Sequence, residues 1–476
     1  MAKLTKLDDI VSLCKRRGFI FQSSEIYGGL ASCYDYGPLG SELKRNVRNA
    51  WWKSVVQMRD DVVGLDCSIF MHPLVWKASG HADKFADIVT VCKKCNVRTR
   101  VDHLPDAPNK TAEGLAGKAC PACGAVGQFG EPMPFRLMFE TQMGANVDDA
   151  MTIFLRPETA QGIFVNFRNV LDSTRVKIPF GVAQIGKSFR NEVTTKAFIF
   201  RTREFEQAEI EFFCAPGTDE KWYEHWKEAR FNWYLNLGMK KENLRLRQHD
   251  KDELAHYAKG CVDVEYKFPF GSGDWQELEG IANRTDFDLR QHQRGMRTLN
   301  SWYEKKGDLS KIELNSESED YQKGPLSYFD EEGKQRFIPY VIEPSAGIDR
   351  SCLAFLVDAY DEDEVNGEVR NVLRFHPALA PVKAAIFPLV KKDGMPEIAT
   401  GLYNDLKKYF NCFYDEKSAV GRRYRRQDEA GTPFCITIDG QTKEDNTVTV
   451  RERDSMKQER INLSQVKQYL RDKLDI

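Results

Sequence analysis

Two β-rich runs, residues 178–190 and 198–213, constrain the fold more than any other part of the sequence. Only residues 191–197 separate them, which predicts a long antiparallel hairpin. Side chains alternate between the faces of a strand, so one face of the second run should carry Arg201, Arg203, Phe205, Gln207 and Glu209. This mixed row suits a planar anionic ligand, because guanidinium groups bind phosphate and Phe205 can stack on a base. A solvated strand face with salt bridges is the alternative.

A second phosphate-binding pattern lies at residues 343–350. A strand at 337–343 leads into a helix at 349–360 that should be buried on most sides, and Glu343, Ser345 and Gly347 share one face at the strand end. Arg350 then falls in the first helical turn, where helix dipole and guanidinium both favour phosphate. The alternative is an N-cap at Asp349 followed by a surface arginine.

Four of the twelve cysteines form two CxxC pairs within a Gly- and Pro-bearing segment. The pairs are Cys92, Cys95, Cys120 and Cys123. Four thiolates suit tetrahedral Zn²⁺ and leave no position for water, so we expect a structural zinc site. Metal-free turns or a redox dithiol are the alternatives. The other eight cysteines are scattered singly, as in a reduced cytoplasmic protein.

Composition excludes several classes of protein. The 476 residues contain 69 Lys+Arg and 71 Asp+Glu, for a net charge of −2, so no basic coat covers the whole molecule. No run is long and apolar enough for a membrane span, and early acidic residues argue against a signal peptide. With 41% hydrophobic residues, the chain is typical of a globular enzyme with two or three domains.

A Pro-punctuated linker at residues 376–381 precedes alternating strands and helices, which predict a separate α/β domain. Within it, Tyr424 is surrounded by Arg422, Arg423, Arg425 and Arg426. Arginines interleaved with an aromatic residue suit unstacked nucleic-acid bases and phosphates. A solvated strand end or inter-domain salt bridges would explain the same pattern.

Together these strings resemble a known enzyme family. Residues 189–192 (FRNE), 205–209 (FEQAE) and 347–350 (GIDR) resemble motifs 2 and 3 of class II aminoacyl-tRNA synthetases, and the block around His72-Pro73 resembles the dimer-forming motif 1. Residues 36–40, 78–81, 156–162, 343–345 and 421–428 narrow the resemblance to dimeric glycyl-tRNA synthetases. Motif 3 departs from many class members by having Ser345-Ala346-Gly347 in place of further glycines.

The resemblance implies an α+β fold and a domain division. An antiparallel sheet flanked by helices should form the catalytic domain, residues 1–375, with a zinc insert at about 86–155 and a helical or loop insert at about 215–335. Residues 376–476 should form an α/β anticodon-binding domain. The protein should be a homodimer.

The implied reaction joins glycine to ATP as glycyl-adenylate and then transfers the glycyl group to the 3′ end of tRNA(Gly). Arg190 and Arg350 are the expected catalytic residues, and Glu277 should hold Mg²⁺ with ATP. The other expected ATP-binding residues are Asn191, Glu192, Phe200, Arg201, Phe205, Leu278, Gly347, Ile348 and Asp349. The expected glycine-binding residues are Arg100, Glu158, Phe205, Glu206, Gln207, Ala208, Glu209, Glu343, Pro344, Ser345, Ala346 and Gly347. The four arginines around Tyr424 are the expected tRNA contacts.

Glycine offers only an ammonium, a carboxylate and two hydrogens. Glu158, Glu209 and Glu343 would suit the ammonium, and without it their mutual repulsion should raise at least one pKa. Every competing amino acid is larger, so a rigid wall at Ser345 and Gly347 can exclude it, and we expect no editing domain.

Some features remain ambiguous at this level. Glu277 and Glu279 have the same strand parity, although Glu279 can equally pair with an arginine. The histidines show no triad spacing, and no protein general base is evident. The alternative functions are a non-catalytic nucleic-acid-binding protein on the same fold, which would be expected to lose Arg190 and Arg350, and a synthetase for serine, threonine or proline.

Overall fold

The computed structural model describes residues 7–104, 113–144, 151–193, 197–255, 257–270, 275–318, 320–365 and 367–474. Parts of the predicted zinc insert (105–112 and 145–150) and of the hairpin connection (194–196) lie outside the described residues. The helices of the described residues are α1 Leu7–Arg17, α2 Pro38–Trp52, α3 Pro73–Ala78, α4 His81–Lys84, α5 Ala160–Thr174, α6 Asp219–Asn236, α7 Phe287–Arg297, α8 Leu299–Glu304, α9 Ile348–Ala359, α10 Met395–Leu406, α11 Val420–Ala430, α12 Gly440–Asp445 and α13 Val466–Leu474.

The strands fall into several sheets, of which two are large. Their bounds are β1 Ile20–Gln22, β2 Tyr34–Tyr36, β3 Val62–Gly64, β4 Ala86–Val91, β5 Arg98–Arg100, β6 Met133–Arg136, β7 Glu140–Met143, β8 Met151–Phe154, β9 Phe180–Phe189, β10 Glu204–Cys214, β11 Leu244–Gln248, β12 Gly260–Lys267, β13 Trp275–Thr285, β14 Tyr328–Asp330, β15 Gln335–Phe337, β16 Tyr340–Gly347, β17 Tyr360–Val365, β18 Glu368–Leu373, β19 Ala384–Pro388, β20 Cys412–Tyr414, β21 Phe434–Ile438, β22 Thr447–Glu452 and β23 Gln458–Asn462.

The predicted hairpin forms the fifth and sixth strands of a seven-stranded sheet with the order β11-β12-β13-β16-β10-β9-β3. Strands β9 and β10 pair antiparallel from Glu204↔Phe189 to Phe213↔Phe180. Every pairing in the sheet is antiparallel except β3 with β9. This arrangement agrees with the expected antiparallel catalytic sheet. The second strand begins only at Glu204, so the predicted face row does not extend to Arg201 and Arg203 as strand residues.

Helices α2, α6 and α9 share one hydrophobic core with this sheet, and α5 packs against the sheet in a second core. In α2, the apolar stripe at Leu43, Val47 and Trp51 is buried. Every residue of α9 except Arg350 is buried, which confirms the helix expected after the 343–350 segment. Because α9 begins directly after β16, Arg350 lies close to the end of the strand that carries Ser345.

Residues 215–335 were expected to form an insert, but much of this segment belongs to the central sheet. Three of their strands, β11–β13, complete the central sheet, and α6 packs against β13 and β16. Residues 305–337 contain the hairpin β14–β15 and the buried residues Ile312, Leu326 and Ser327.

The C-terminal residues form a five-stranded sheet with the order β20-β19-β21-β22-β23. Strand β19 is parallel to both β20 and β21, and the remaining pairs are antiparallel. The segment from 376 to 381 is no free linker, because Leu379 and Ala380 are completely buried in the core under the first sheet.

Helix α11 connects the two halves of the molecule through charged groups. Arg370 of β18 donates from Nη1 to Asp428 Oδ2 at 3.3 Å and to the Arg453 carbonyl at 3.0 Å. Arg451 completes the contact by donating to both oxygens of Asp428, at 2.8 and 3.0 Å. The next residue of the helix, Glu429, pairs with Arg17 of α1.

Candidate functional site

A cavity of about 310 Å³ lies over strands β10, β16, β13 and β12, a volume within the range of ligand sites. Its floor consists of side chains from alternate positions, because every second residue of β10 and β16 faces the same side. The register places Glu209 of β10 opposite Ser345 of β16, and Ser345 opposite Gly280 of β13. The cavity has two chemically different ends.

The basic end is formed by Arg190, Arg201 and Arg350, which all line the cavity. Arg190 follows β9 and donates from Nε to the Pro157 carbonyl at 3.0 Å. Its guanidinium lies 5.3 Å from the centre of the Phe205 ring, on the cavity side of β10. These contacts fix the cation while leaving other N–H groups for an anion.

Arg350 is held in a similar way. Its Nε donates to the Phe200 carbonyl at 3.1 Å, and its guanidinium lies 4.5 Å from the Phe200 ring centre. The nearest anion is Glu277, whose Oε2 is 3.1 Å from Nη1. Arg201 is less paired, with Glu192 Oε2 at 4.0 Å, and burial together with Arg350 lowers its pKa. This end is therefore rich in incompletely neutralised cations.

Glu277 and Glu279 lie on opposite sides of the sheet. Their partners Val264 and Glu265 are adjacent, so Leu278 is the extra residue of a β-bulge. Glu277 lines the cavity, and the charge of Arg350 lowers its pKa. Glu279 instead forms a buried ion pair with Arg230 of α6, with Oε1 2.6 Å from Nε. The common parity predicted from the sequence was wrong, and the arginine alternative for Glu279 is confirmed.

The acidic end consists of Glu158, Glu209 and Glu343, and all three line the cavity. Glu209 has the most hydrogen-bond partners of the three. Its Oε2 accepts from the Thr159 N–H at 3.1 Å and from the Thr159 hydroxyl, and its Oε1 accepts from Ser345 Oγ at 2.7 Å. Glu158 lies 3.3 Å from His81 Nε2 and accepts a 2.9 Å hydrogen bond from Gln161.

The structure also contains a site residue that the sequence reasoning missed. Arg284, only 3% exposed, donates from Nη1 to both oxygens of Glu343 at 2.8 and 2.9 Å. Its Nε and Nη2 donate to Asp288 at 2.7 and 2.8 Å, and its guanidinium lies 3.9 Å from the centre of the Tyr257 ring. Arg284 thus orients Glu343 and supplies the main counter-charge at the acidic end.

The expected repulsion among the acids is visible in their pKa values. Burial raises the pKa of Glu343, and Glu209 and Glu158 raise it further against the opposing charge of Arg284. Burial and Glu158 likewise raise the pKa of Glu209. For Glu158, burial acts upward, but His81 and Arg284 hold its pKa well below the ordinary range. The prediction that at least one of these pKa values rises is confirmed.

Most expected nucleotide- and amino-acid-binding residues meet at the cavity, and some do not. The remaining residues that line it as expected are Glu192, Phe200, Phe205, Glu206, Gln207, Gly347 and Asp349. Those absent from the described lining are Arg100, Asn191, Ala208, Leu278, Pro344, Ala346 and Ile348. The side chains of Ala208, Leu278, Ala346 and Ile348 are buried in the protein, as expected for positions behind the sheet face or at a bulge. Arg100 instead pairs with Asp102 and Asp87.

Arg203 leaves the predicted face row, since its Nη1 donates to the Ala31 carbonyl at 3.1 Å. Asp349 is directed into the protein rather than towards open space. It accepts hydrogen bonds from Tyr36 and Lys44 at 2.6 and 2.8 Å, and from the Glu206 N–H at 2.7 Å. Further lining residues that the sequence did not indicate are Ile199, Thr202, His249, Tyr257, Cys261, Asp263, Gly280 and Ala282.

The four cysteines of the CxxC pairs converge beside the small sheet β5-β4-β6. All four sulfur atoms lie within 4.8 Å of one another. Cys92 and Cys123 have their sulfurs 3.8 Å apart, and those of Cys95 and Cys120 are 3.7 Å apart. Four sulfurs in a tetrahedron at the usual zinc–sulfur distance would be roughly 3.8 Å apart. The geometry therefore fits Zn²⁺ with little rearrangement.

The arginines around Tyr424 lie on helix α11 rather than on a strand, and they divide between two faces. Arg422 is exposed, and Arg425 and Arg426 are partly exposed. Arg423 is 2% exposed and donates to the carbonyls of Pro388 and Leu389 at 2.7 and 3.1 Å. The Tyr424 hydroxyl bonds to Thr437 at 2.6 Å, and its ring packs on Phe387. Arg423 and Tyr424 are thus part of the domain core, contrary to expectation.

No helix among the described residues is long and apolar enough to cross a membrane. A family model described as an anticodon binding domain matches residues 383–473. Three similar curated proteins are named glycine–tRNA ligase. The protein of Thermobifida fusca is 53% identical, over 99% of this chain and 99% of its own length. The protein of Treponema denticola is 50% identical over 96% and 94%, and that of Streptomyces coelicolor is 50% identical over 98% of each.

Proposed function

This chain belongs to the family of glycine–tRNA ligases, and from that premise we propose that its cavity joins glycine to ATP and passes the glycyl group to the 3′ end of tRNA(Gly). One observation carries the proposal: three guanidinium groups lie at one end of the cavity, and three carboxylates lie at the other end. The first step brings a carboxylate anion to a phosphate anion, so it needs cations at their meeting point and an anchor for the ammonium.

The basic end should bind ATP. Arg190, at the basic end, has further N–H groups that can bridge the α-phosphate and the glycine carboxylate. Arg350 and Arg201 can hold the outer phosphates, and the ring of Phe205 can stack on adenine. Mg²⁺ prefers carboxylate and phosphate oxygens, and the half-exposed carboxylate of Glu277 is the residue that would hold it. The ion would neutralise phosphate charge there.

The acidic end should bind glycine. Glu158 and Glu343 present negative charge to the ammonium, while Glu209 holds Ser345 in place through the 2.7 Å hydrogen bond. With Arg284 fixing Glu343, this wall is rigid, and a larger side chain would have to displace buried charged groups. We therefore propose that exclusion at this wall makes an editing site unnecessary. Gly347 lies nearer the basic end, because a Cβ there would be 3.5 Å from Arg350.

Several finer assignments rest on the same premise. We propose that the four cysteines hold a structural zinc ion, supported by the spacing of their sulfurs. Residues 1–375 would form the catalytic part and 376–476 the anticodon-binding part, with Arg422, Arg425 and Arg426 as tRNA contacts. A homodimer is supported by the exposed apolar side chains Ile26 and Tyr27, which are 88% and 87% exposed. Free cysteines throughout the chain suit a cytoplasmic location.

The decisive experiment is amino-acid-dependent exchange of pyrophosphate into ATP with the purified protein. Glycine should support exchange, whereas alanine, serine, threonine and proline should not, and glycine should then be transferred to tRNA(Gly). Exchange with one of the other amino acids but not with glycine would overturn the substrate assignment. Absence of exchange with every amino acid would favour the non-catalytic alternative, which the cavity-facing positions of Arg190 and Arg350 argue against.

A further inference from the structure

Three metal-binding side chains of different types converge on the outer side of the cavity, beyond Glu277. His249 follows β11 directly, and Cys261 and Asp263 lie on the neighbouring strand β12. One ligand atom from each lies within 4.8 Å of the others, and all three residues line the cavity. None of them has a part in the proposed reaction. We propose that His249, Cys261 and Asp263 bind a divalent transition-metal ion such as Zn²⁺, at a site separate from the four cysteines.

The sheet register explains why these residues meet. Cys261 and Asp263 are two apart on β12, so their side chains face the same side. Strand β11 pairs with β12 up to Gln248↔Val262, and the next residue, His249, donates its N–H to the Cys261 carbonyl at 2.9 Å. The imidazole is thereby placed over the same face, with Nε2 2.7 Å from Asp263 Oδ2. Backbone pairing, rather than a mobile loop, fixes the positions of the three ligands.

The donor set selects the class of ion. One imidazole nitrogen, one thiolate and one carboxylate oxygen suit Zn²⁺, Co²⁺ and similar ions, whereas Mg²⁺ prefers oxygen ligands alone. Three protein ligands leave a fourth position open, as in zinc sites that exchange water. The present His249–Asp263 hydrogen bond is shorter than the usual separation of two metal ligands, so binding requires a small rotation of these side chains.

Gly280 supplies space for this fourth position. A Cβ at residue 280 would lie 3.6 Å from Asp263 Oδ1 and 3.9 Å from Glu277 Oε1. Both carboxylates therefore lie close to the position on β13 where Gly280 has no side chain. Arg247, the arginine whose charge reaches Cys261, pairs with Glu253, so its guanidinium is already engaged. This inference does not depend on which amino acid the cavity activates.

The test compares zinc content among full-length variants. After equilibrium dialysis against buffered Zn²⁺, mass spectrometry should find one ion fewer per chain in His249→Ala and Cys261→Ala than in the unaltered protein. Across a range of free Zn²⁺, loss of one ligand should weaken this site by more than about tenfold. The matched controls are His225→Ala and Cys412→Ala, which remove an exposed histidine and a partly buried cysteine outside the cluster and should retain the full content.

A second measurement guards against variants that lose zinc through unfolding. In protein titrated with Co²⁺, the sulfur-to-metal absorption should lose the contribution of this site in Cys261→Ala and retain it in Cys92→Ser, which removes a ligand of the other cluster. Gly280→Ala, which removes no ligand, should reduce occupancy by crowding the fourth position. Equal zinc content in the unaltered protein, His249→Ala and Cys261→Ala would overturn the proposal, as would an equal loss in the two controls.

Discussion

Replacing Arg284 with methionine should destabilise the protein by about 3–5 kcal/mol, the usual effect of removing one partner of a buried ion pair. Arg284 is 3% exposed and donates four hydrogen bonds to the carboxylates of Glu343 and Asp288. Methionine fills much of the same volume but leaves both acids without their cation. The large effect therefore comes from uncompensated charge rather than from a cavity.

The matched control is Arg290→Met, on helix α7 near Asp288. The Arg290 side chain is 36% exposed and pairs with Glu317 and Asp286. Exposed pairs of this kind contribute about 0–1 kcal/mol. Urea unfolding followed by tryptophan fluorescence should therefore give a much lower midpoint for Arg284→Met than for Arg290→Met.

The stability difference between Arg284→Met and Arg290→Met should become smaller as the pH falls. Without the guanidinium, the pKa of Glu343 in the folded protein, which burial and the neighbouring acids already raise, should rise further above that in the unfolded chain. The destabilising effect of its charge is then fully present above the raised pKa and is lost as the pH falls through it. The gap between the two variants should be smaller at about pH 5 than at about pH 8. Equal midpoints at the higher pH, or a gap that widens in acid, would refute the reasoning.

Further predictions concern catalysis and tRNA binding. Glu158→Gln should lower kcat/KM for glycine by about 10–100-fold with little change in the KM for ATP, because it removes one charge facing the ammonium; an unchanged value would exclude this role. Arg350→Gln should reduce ATP-dependent exchange by a similar factor. Since the pKa of Glu343 is raised, the KM for glycine should increase as the pH falls through that pKa, as a pH series of exchange rates would show. Arg422→Ala should weaken tRNA binding and leave the melting temperature unchanged. Arg423→Ala should lower the melting temperature, because the change leaves the buried carbonyls of Pro388 and Leu389 unpaired.

Alternation along a strand predicted the cavity floor correctly where the backbone is regular. It placed Phe205, Gln207 and Glu209 on one face of β10, and all three line the cavity. It failed at Arg203, which precedes the strand, and at Glu279, where the bulge at Leu278 reverses the side. Bulges and strand starts depend on pairing with other strands, which a local pattern does not record.

Other features depend on contacts that are distant in sequence. Arg284 meets Glu343 only because β13 and β16 are neighbours, and it meets Asp288 across the connection from β13 to α7. The edge strand β11 alternates leucine with exposed arginine, so it was assigned to an insert. Helix α11 has no apolar stripe that a local pattern could detect, because its buried face consists largely of polar residues, among them Arg423 and Gln427.

The salt-bridged position of Asp428 has a mechanical consequence. This carboxylate is completely enclosed, and the guanidinium groups of Arg370 and Arg451 hold it from two sides. Arg370 lies on the hairpin β17–β18, which follows α9, and Arg350 lies in the first turn of α9. Tilting α11 would separate Asp428 from these guanidinium groups and leave a buried charge uncompensated, so we expect the two halves of the molecule to move together rather than to bend at this contact.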